Sequence, residues 1–159
     1  MSKKTDKAAA SDELLRLDKQ LCFPLYAAAN LIVKLYAPLL AEIDLTYPQY
    51  LVLLVLWEQS PLSVGELGTR LYLDSGTLTP LLKRLEAKEL IDRRRDENDE
   101  RRVLIYLSAK GKTLKKHAAC IPMRLIQDLD LDVEEVAAMR ETMKNFVTLL
   151  EKQLKSAEL

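Results

Sequence analysis

Little in this sequence could hold a metal, a phosphate or a disulfide framework. One histidine and two cysteines occur among 159 residues. His117 has only Cys120, three residues on, at a metal-like spacing, and two ligands make a poor zinc site. Cys22 and Cys120 are far apart in a chain too large to need a disulfide scaffold, so each reads as a single thiol in a reducing compartment. There is no glycine-rich phosphate loop among the four glycines, and no cofactor is expected. Net charge is missing too: 24 Lys and Arg balance 24 Asp and Glu. That excludes a diffuse polycation for bulk nucleic-acid binding, and any DNA contact must come from local arrangement. The longest strongly apolar run, Leu51 to Trp57, is too short to span a bilayer. The opening MSKKTDKAAASD carries basic charge with no apolar stretch after it, unlike a secretory signal. A cytoplasmic protein with no membrane partner is expected.

What the chain does have is apolar patterning. At 48% hydrophobic residues, one domain with a sizeable core is expected over residues 13–159, after a polar, lysine-rich disordered tail over 1–12. Leu14, Leu17 and Leu21 lie at helical spacing, and Pro24 falls where a helix would start or bend. Leu25 to Ile43 then runs on with only Asn30, Lys34 and Glu42 as polar interruptions. A helix apolar on nearly every side must be covered on nearly every side, which a small domain cannot manage alone. Residues 13–45 are therefore read as a dimerisation element. Thr46 and Gln49 stand in capping-box spacing, with Pro48 in the first turn of a helix that carries the buried run YLVLLVLW to Gln59-Ser60-Pro61. Toward the other end, Ser108 or a neighbour caps a helix through Leu125, bent by Pro122, and Asp132 with Glu135 starts the last helix. There Val136, Met139, Met143, Val147, Leu150 and Leu154 form a narrow seam suited to another helix, so residues 108–159 join the dimerisation set.

Residues 63–107 form the centre. Ser63 and Glu66 make a capping box that starts one short helix. A turn over Tyr72, Leu73, Asp74 and Ser75 leads to a second helix with Leu78, Leu81, Leu82 and Leu85 on one stripe. From Leu90 to Arg95 and from Arg101 to Leu107 the period shifts toward two, with Asp96 to Glu100 as the hairpin loop. The fold class is thus mainly α with a small β-hairpin wing: a winged helix-turn-helix between N- and C-terminal dimerisation helices. In such a fold Ser75, Thr77, Thr79 and, farther along, Lys83 and Arg84 would meet base edges in the major groove. Arg94, Arg95, Arg101 and Arg102 at the wing would reach phosphates or a neighbouring minor groove. Against this, Glu66 to Arg102 holds nine basic and nine acidic residues, and the arginine run also reads as a solvated hairpin balanced by its own carboxylates.

The stretch LDSGTLTPLLKRLEAKELIDRRR followed by DERRVLIYLSAKG resembles the MarR family of dimeric transcription factors, whose wing carries the pattern Asp99-x-Arg101. LDKQLCFPLYAAAN and LTYPQYLVLLVLWE resemble its OhrR branch, repressors that sense organic hydroperoxides. The likeness covers nearly everything from Leu17 to Pro122, and it is specific because the cysteine, the TYPQY segment and the LDSGTLTPLLKR helix occur together. The resemblance implies that Cys22 is the peroxidatic cysteine, that Tyr36 and Tyr47 donate hydrogen bonds to its sulfur, and that Asp99 with Arg101 shapes the wing. Pro80, odd inside a helix, is shared with the family. Some members carry a second cysteine, on the helix after the wing, that bonds to the other subunit's first. Cys120 lies on that helix but short of the family's position, and stands as resolving cysteine or spectator thiol.

On residue type alone Cys22 is a small buried hydrophobe. Near a helix start it would instead be a favoured thiolate, able to attack a peroxide bond and form a sulfenic acid. Tyr26 is close to it in sequence. Tyr36 lies fourteen residues on, ~21 Å along one helix at ~1.5 Å per residue, so if it meets Cys22 it most simply comes from the partner subunit. Leu21, Phe23 and Leu25 would favour alkyl or lipid hydroperoxides over hydrogen peroxide. The expectation is a homodimeric, non-enzymatic repressor that holds a pseudo-palindromic DNA operator when reduced and leaves it when Cys22 is oxidised by an organic hydroperoxide. The competing readings are release by a small phenolic ligand at the same interface, a thiol peroxidase and, last, a protein scaffold without DNA.

Overall fold

Three reciprocal caps set where helices begin in this protein, whose computed structural model describes residues 12–157. The Thr46 amide donates to Gln49 Oε1 at 3.0 Å. The Ser63 amide donates to Glu66 Oε2 at 2.7 Å while the Glu66 amide returns a bond to Ser63 Oγ at 3.2 Å. Asp132 and Glu135 exchange the same pair of bonds at 3.0 and 2.7 Å. Each satisfies amides that a helix start leaves without partners. In order, the chain forms α1 (Cys22–Ala41), α2 (Tyr47–Glu58), β1 (Leu62–Ser63), α3 (Val64–Leu71), α4 (Ser75–Ala87), β2 (Ile91–Arg95), β3 (Val103–Leu107), α5 (Ala109–Ala118), α6 (Ile121–Asp128) and α7 (Val133–Ala157). The expected tail over 1–12 falls almost wholly outside the described residues.

The chain divides into two compact units, residues 1–114 and 115–159. In the first, α3 and α4 are joined through Tyr72, which caps α3 in the left-handed region at φ 55°. Leu73 N–H donates to Gly68 O at 3.0 Å, and a Cβ on Gly68 would sit 2.6 Å from the Leu73 carbonyl, which is why the turn needs glycine there. Leu67, Leu78, Leu82, Leu85, Ile91 and Ile105 are almost completely buried and knit the motif to its sheet. That sheet has the order β1-β3-β2, antiparallel throughout, with Ile91 opposite Leu107, Arg95 opposite Val103 and Leu62 opposite Ile105. The first residue of α5 follows at once, held by Ser108, whose Oγ donates to Glu89 O and accepts from Gly111 N–H.

The second unit is helical. α6 buries Ile121 and Leu125, whereas α7 has no buried residue. Met139, Met143, Val147, Leu150 and Leu154 of its seam are all exposed.

Several expectations need correction. Ser75 opens α4 instead of closing the turn, because Asp74 accepts the Thr77 amide at 2.8 Å and becomes the cap. β1 adds a third strand. Leu17–Lys19 is a short 3-10 helix, and Leu14, Leu17 and Leu21 are exposed instead of lining one helix. The helix expected through Leu125 breaks at Ala119 and Cys120, and Pro122 opens α6 instead of bending a longer helix, as suits a residue with no N–H to give. Last, α1 is long and apolar enough to cross a membrane by length and composition, at mean hydropathy 1.4. Asn30 and Lys34 interrupt its apolar run, so no unbroken stretch of that length occurs in it.

Of the four glycines, Gly111 has the closest neighbour: a Cβ there would lie 2.1 Å from Leu90 O. Gly111→Ala improves intrinsic helix propensity, yet here it forces α5 off the strand end. It is expected to lower stability by about 3 kcal/mol, read as a lower midpoint in urea unfolding; an unchanged midpoint would show that the contact relaxes freely.

Candidate functional site

Cys22 is the first residue of α1 and is exposed. Helix starts carry free amides and partial positive charge, and here Pro24 removes one N–H while no acidic side chain occupies the first turn. Tyr26, one turn on, shares that end of the helix and is 69% exposed. Because α1 runs without interruption from Cys22 to Ala41, Tyr36 of the same chain stays ~21 Å along the axis from Cys22. The structure thus keeps Cys22 and Tyr36 of one chain apart.

It brings Tyr36 and Tyr47 together instead. Their ring centroids lie 4.9 Å apart, and Tyr50 adds a third ring 6.0 Å from Tyr36. Tyr50 packs edge-on against Trp57 at 6.2 Å, whose Nε1 donates to Gly111 O. Tyr50 is buried at 2% exposure; within an apolar run it reads simply as core, and only Tyr36, five residues before the end of α1, hints at a cluster. Among the described residues neither the Tyr36 nor the Tyr47 hydroxyl has a hydrogen-bond partner. Burial, then the neighbouring Tyr47 and Tyr50 hydroxyls, pushes Tyr36 up to about 12, and burial raises Tyr47 as well. Both are therefore kept as neutral donors.

Cys120 precedes α6, exposed, with its Sγ 3.5 Å from His117 O. No group of three or more His, Cys, Asp and Glu that could hold a metal occurs among the described residues.

On α4, Ser75, Thr77, Lys83 and Arg84 are exposed and Thr79 is half-buried. Two of the hydroxyls are engaged locally: Thr77 Oγ1 donates to Asp74 Oδ2 at 2.9 Å, and Thr79 Oγ1 to Ser75 O at 2.7 Å. The Thr77 bonds hold the Asp74 carboxyl below its ordinary value. Lys83 and Arg84 have no ion pair among the described residues.

The wing arginines divide. Arg95 is exposed and has no ion pair among the described residues, and Arg101 is 93% exposed with Asp99 Oδ1 3.3 Å from its Nε. Asp99 also accepts the Arg101 and Arg102 amides, through Oδ1 and its carbonyl, which closes the tip. Arg94 lies over the Tyr106 ring at 5.0 Å, with Asp92 3.6 Å away. Arg102, by contrast, faces Glu66 of α3 at 3.7 Å and Asp96 at 3.9 Å. Arg93, which the sequence did not single out, faces Glu86 of α4 at 3.6 Å.

Two short helices on a tight turn, followed by a hairpin on a short third strand, define a winged helix-turn-helix protein. The family model described as transcriptional regulator SarA/Rot matches residues 34–118. The transcriptional regulator TtmR of Methylorubrum extorquens is 49% identical over 93% of this chain and 76% of its own length. The organic hydroperoxide resistance transcriptional regulator of Bacillus subtilis is 47% identical over 86% of this chain and 91% of its own. Among solved structures, reduced AbfR bound to DNA superimposes with TM-score 0.69 at 34% identity, covering 87% of this chain and 98% of that one. Apo MarR of E. coli gives 0.66 at 27%, covering 80% and 96%. The chain belongs to the MarR family of transcriptional regulators.

The tyrosine cluster makes a pH-dependent claim. Tyr36 has a folded value near 12 against an ordinary 10.0, so its contribution to stability is whole below pH 10.0 and is lost as pH rises toward about 12. Tyr36→Phe is expected to lose stability less steeply across that window, read from urea midpoints. Equal slopes in both proteins would remove Tyr36 from the account.

Proposed function

We propose that this protein is a homodimeric repressor that binds a pseudo-palindromic operator when reduced and releases it when an organic hydroperoxide oxidises Cys22. The observation that carries the reading is the pair of neutral phenols, Tyr36 and Tyr47, whose ring centroids lie 4.9 Å apart and whose hydroxyls have no acceptor among the described residues. A thiolate is such an acceptor. Since Cys22 of the same chain is ~21 Å along α1, the sulfur they serve is the partner subunit's. The apolar side chains of α1 support a partner there: Leu31, Ile32, Val33 and Leu35 are exposed on a helix that buries only Leu39 and Leu40. The same apolarity would suit a bilayer, but Asn30 and Lys34 at mid-helix and the regulator family favour a protein partner in the cytoplasm. The exposed α7 seam completes the dimer.

In the redox step the Cys22 thiolate attacks the outer oxygen of R–O–OH. An S–O bond forms, the O–O bond breaks, and the alkoxide leaves as alcohol after taking a proton, so sulfur is oxidised to sulfenic acid and the peroxide reduced. Cys120 of the other subunit then condenses with the sulfenic acid, releasing water and forming a disulfide. The names of relatives support a redox-linked DNA-binding regulator: the Bacillus regulator concerns organic hydroperoxide resistance, and AbfR has been solved reduced and overoxidized on DNA and in a disulfide form.

A gel shift with the DNA upstream of its own gene is expected to show binding by reduced protein and release after cumene hydroperoxide. Cys22→Ser protein should stay bound. Release of the Cys22→Ser variant by the same treatment would favour a ligand-driven regulator instead. On non-reducing electrophoresis the oxidised protein should run at twice the mass and Cys120→Ser should not; a dimer band that survives Cys120→Ser would make Cys120 a spectator.

A further inference from the structure

The wing carries five arginines, Arg93, Arg94, Arg95, Arg101 and Arg102, and charge alone would aim all of them at DNA. The structure sorts them by what they face. Arg93 sits on β2 opposite Ile105, the fully buried centre of β3. Its side chain is 23% exposed, its Nη1 lies 3.6 Å from Glu86 Oε2 on α4, and its Nε is buried with no partner. A guanidinium so placed is turned away from solvent, toward the reading helix. Arg102, at the other strand's start, points Nη2 at Glu66 Oε2 on α3, 3.7 Å away. That same carboxylate oxygen accepts the Ser63 amide and hydroxyl, at 2.7 and 2.6 Å, so the brace ends on the capping box of the first helix. The second nitrogen of Arg102 faces Asp96, itself only 13% exposed.

We propose that Arg93 and Arg102 are positioning residues that fix the angle of the wing against the two helices of the motif, and that Glu86 and Glu66 are their anchors. Arg95 and Arg101, exposed at the tip, are left to meet DNA. The inference rests on the DNA-binding reading above and deepens it: one set of wing arginines sets register, the other makes contact. It also reassigns Arg102, which the sequence groups with the contacting residues.

The two roles predict opposite signs. Glu86→Gln and Glu66→Gln each remove a negative charge, which by long-range electrostatics alone strengthens binding to a polyanion. If the carboxylates hold the wing in place, each substitution weakens binding instead, by about fivefold. Glutamine at position 66 keeps an acceptor for the Ser63 amide, so the cap survives. Affinity is measured by fluorescence anisotropy with a labelled duplex from upstream of the protein's own gene, beside an unrelated duplex of equal length. Thermal unfolding shows that each variant is folded.

The cycle is completed by Arg93→Gln, alone and with Glu86→Gln. Acting through Glu86, the arginine loses its effect once Glu86 is gone, and the double variant binds no worse than the poorer single one. Carboxamide variants that bind as tightly as the unaltered protein or more tightly would overturn the proposal, as would additive losses in the double variant, which mark direct phosphate contact. Should the unaltered protein bind neither duplex, the DNA-binding reading itself fails and takes this inference with it.

Discussion

Burial of the leucine stripe of α4 is the interaction on which the rest of the first unit depends. Leu78, Leu82 and Leu85 are completely buried, and the helix packs on α2, α3 and β2. Each leucine taken from water contributes roughly 1.5–3 kcal/mol. The ion pairs around it, with side chains 23–53% exposed in the two braces to α3 and α4, contribute about 0–1 kcal/mol each. Apolar contact therefore decides whether the motif forms, and the charges decide only how its parts are angled. Pro80 is tolerated on these terms: it sits in α4 between Leu78 and Leu82, and its cost of about 3 kcal/mol in a helix interior is offset by the three buried leucines.

The outer helices obey the same constraint with the opposite result. α1 and α7 expose the apolar side chains that α4 hides. Among the described residues, only two at the C-terminal end of α1 are buried, so the part of the helix that carries Cys22 is left exposed by the rest of the first unit. In the proposed dimer the thiol and the phenols that serve it belong to different subunits, and oxidation acts where the two copies are joined.

What the sequence revealed follows the range of the physics. Capping boxes at Thr46, Ser63 and Asp132 are local, three residues from donor to acceptor, and were legible. The leucine stripe of α4 was legible because its period is its own. β1 was not: two residues have no period, and they become a strand only through Ile105 and Leu104, some forty residues away. The break at Ala119 and Cys120 was hidden because Pro122 is equally compatible with a bend and with a new start. Tyr50 was hidden inside an apolar run, and the division of the arginines was hidden because a count of charges is the same whichever carboxylate each one faces. The sequence could name Tyr36 and Tyr47 only by resemblance; that their rings meet depends on how α1 lies on α2.

If Cys22 is the proposed sensor, its signal must pass from α1 to α4, and the routes between them differ in weight. Asp44, just past α1 with φ 52°, meets Lys88 at the end of α4, with Nζ 3.0 Å from its carboxylate and a further bond to its carbonyl. With Asp44 88% exposed, that link contributes under about 1 kcal/mol, whereas a regulatory coupling is typically 1–3 kcal/mol. The ion pair thus cannot carry the coupling alone. The weightier route runs through packing: α1 on α2 by way of Leu39, Leu40 and the Tyr36, Tyr47 and Tyr50 rings, and α2 on α4 through its buried Val52, Leu53 and Leu56. Close-packed side chains resist continuous deformation, so a displaced α1 must either carry α2 and the reading helix with it or open a void beneath Leu40. Moving the helices together is the less costly course, and in the proposed dimer it is the one that would change the spacing of the two reading helices.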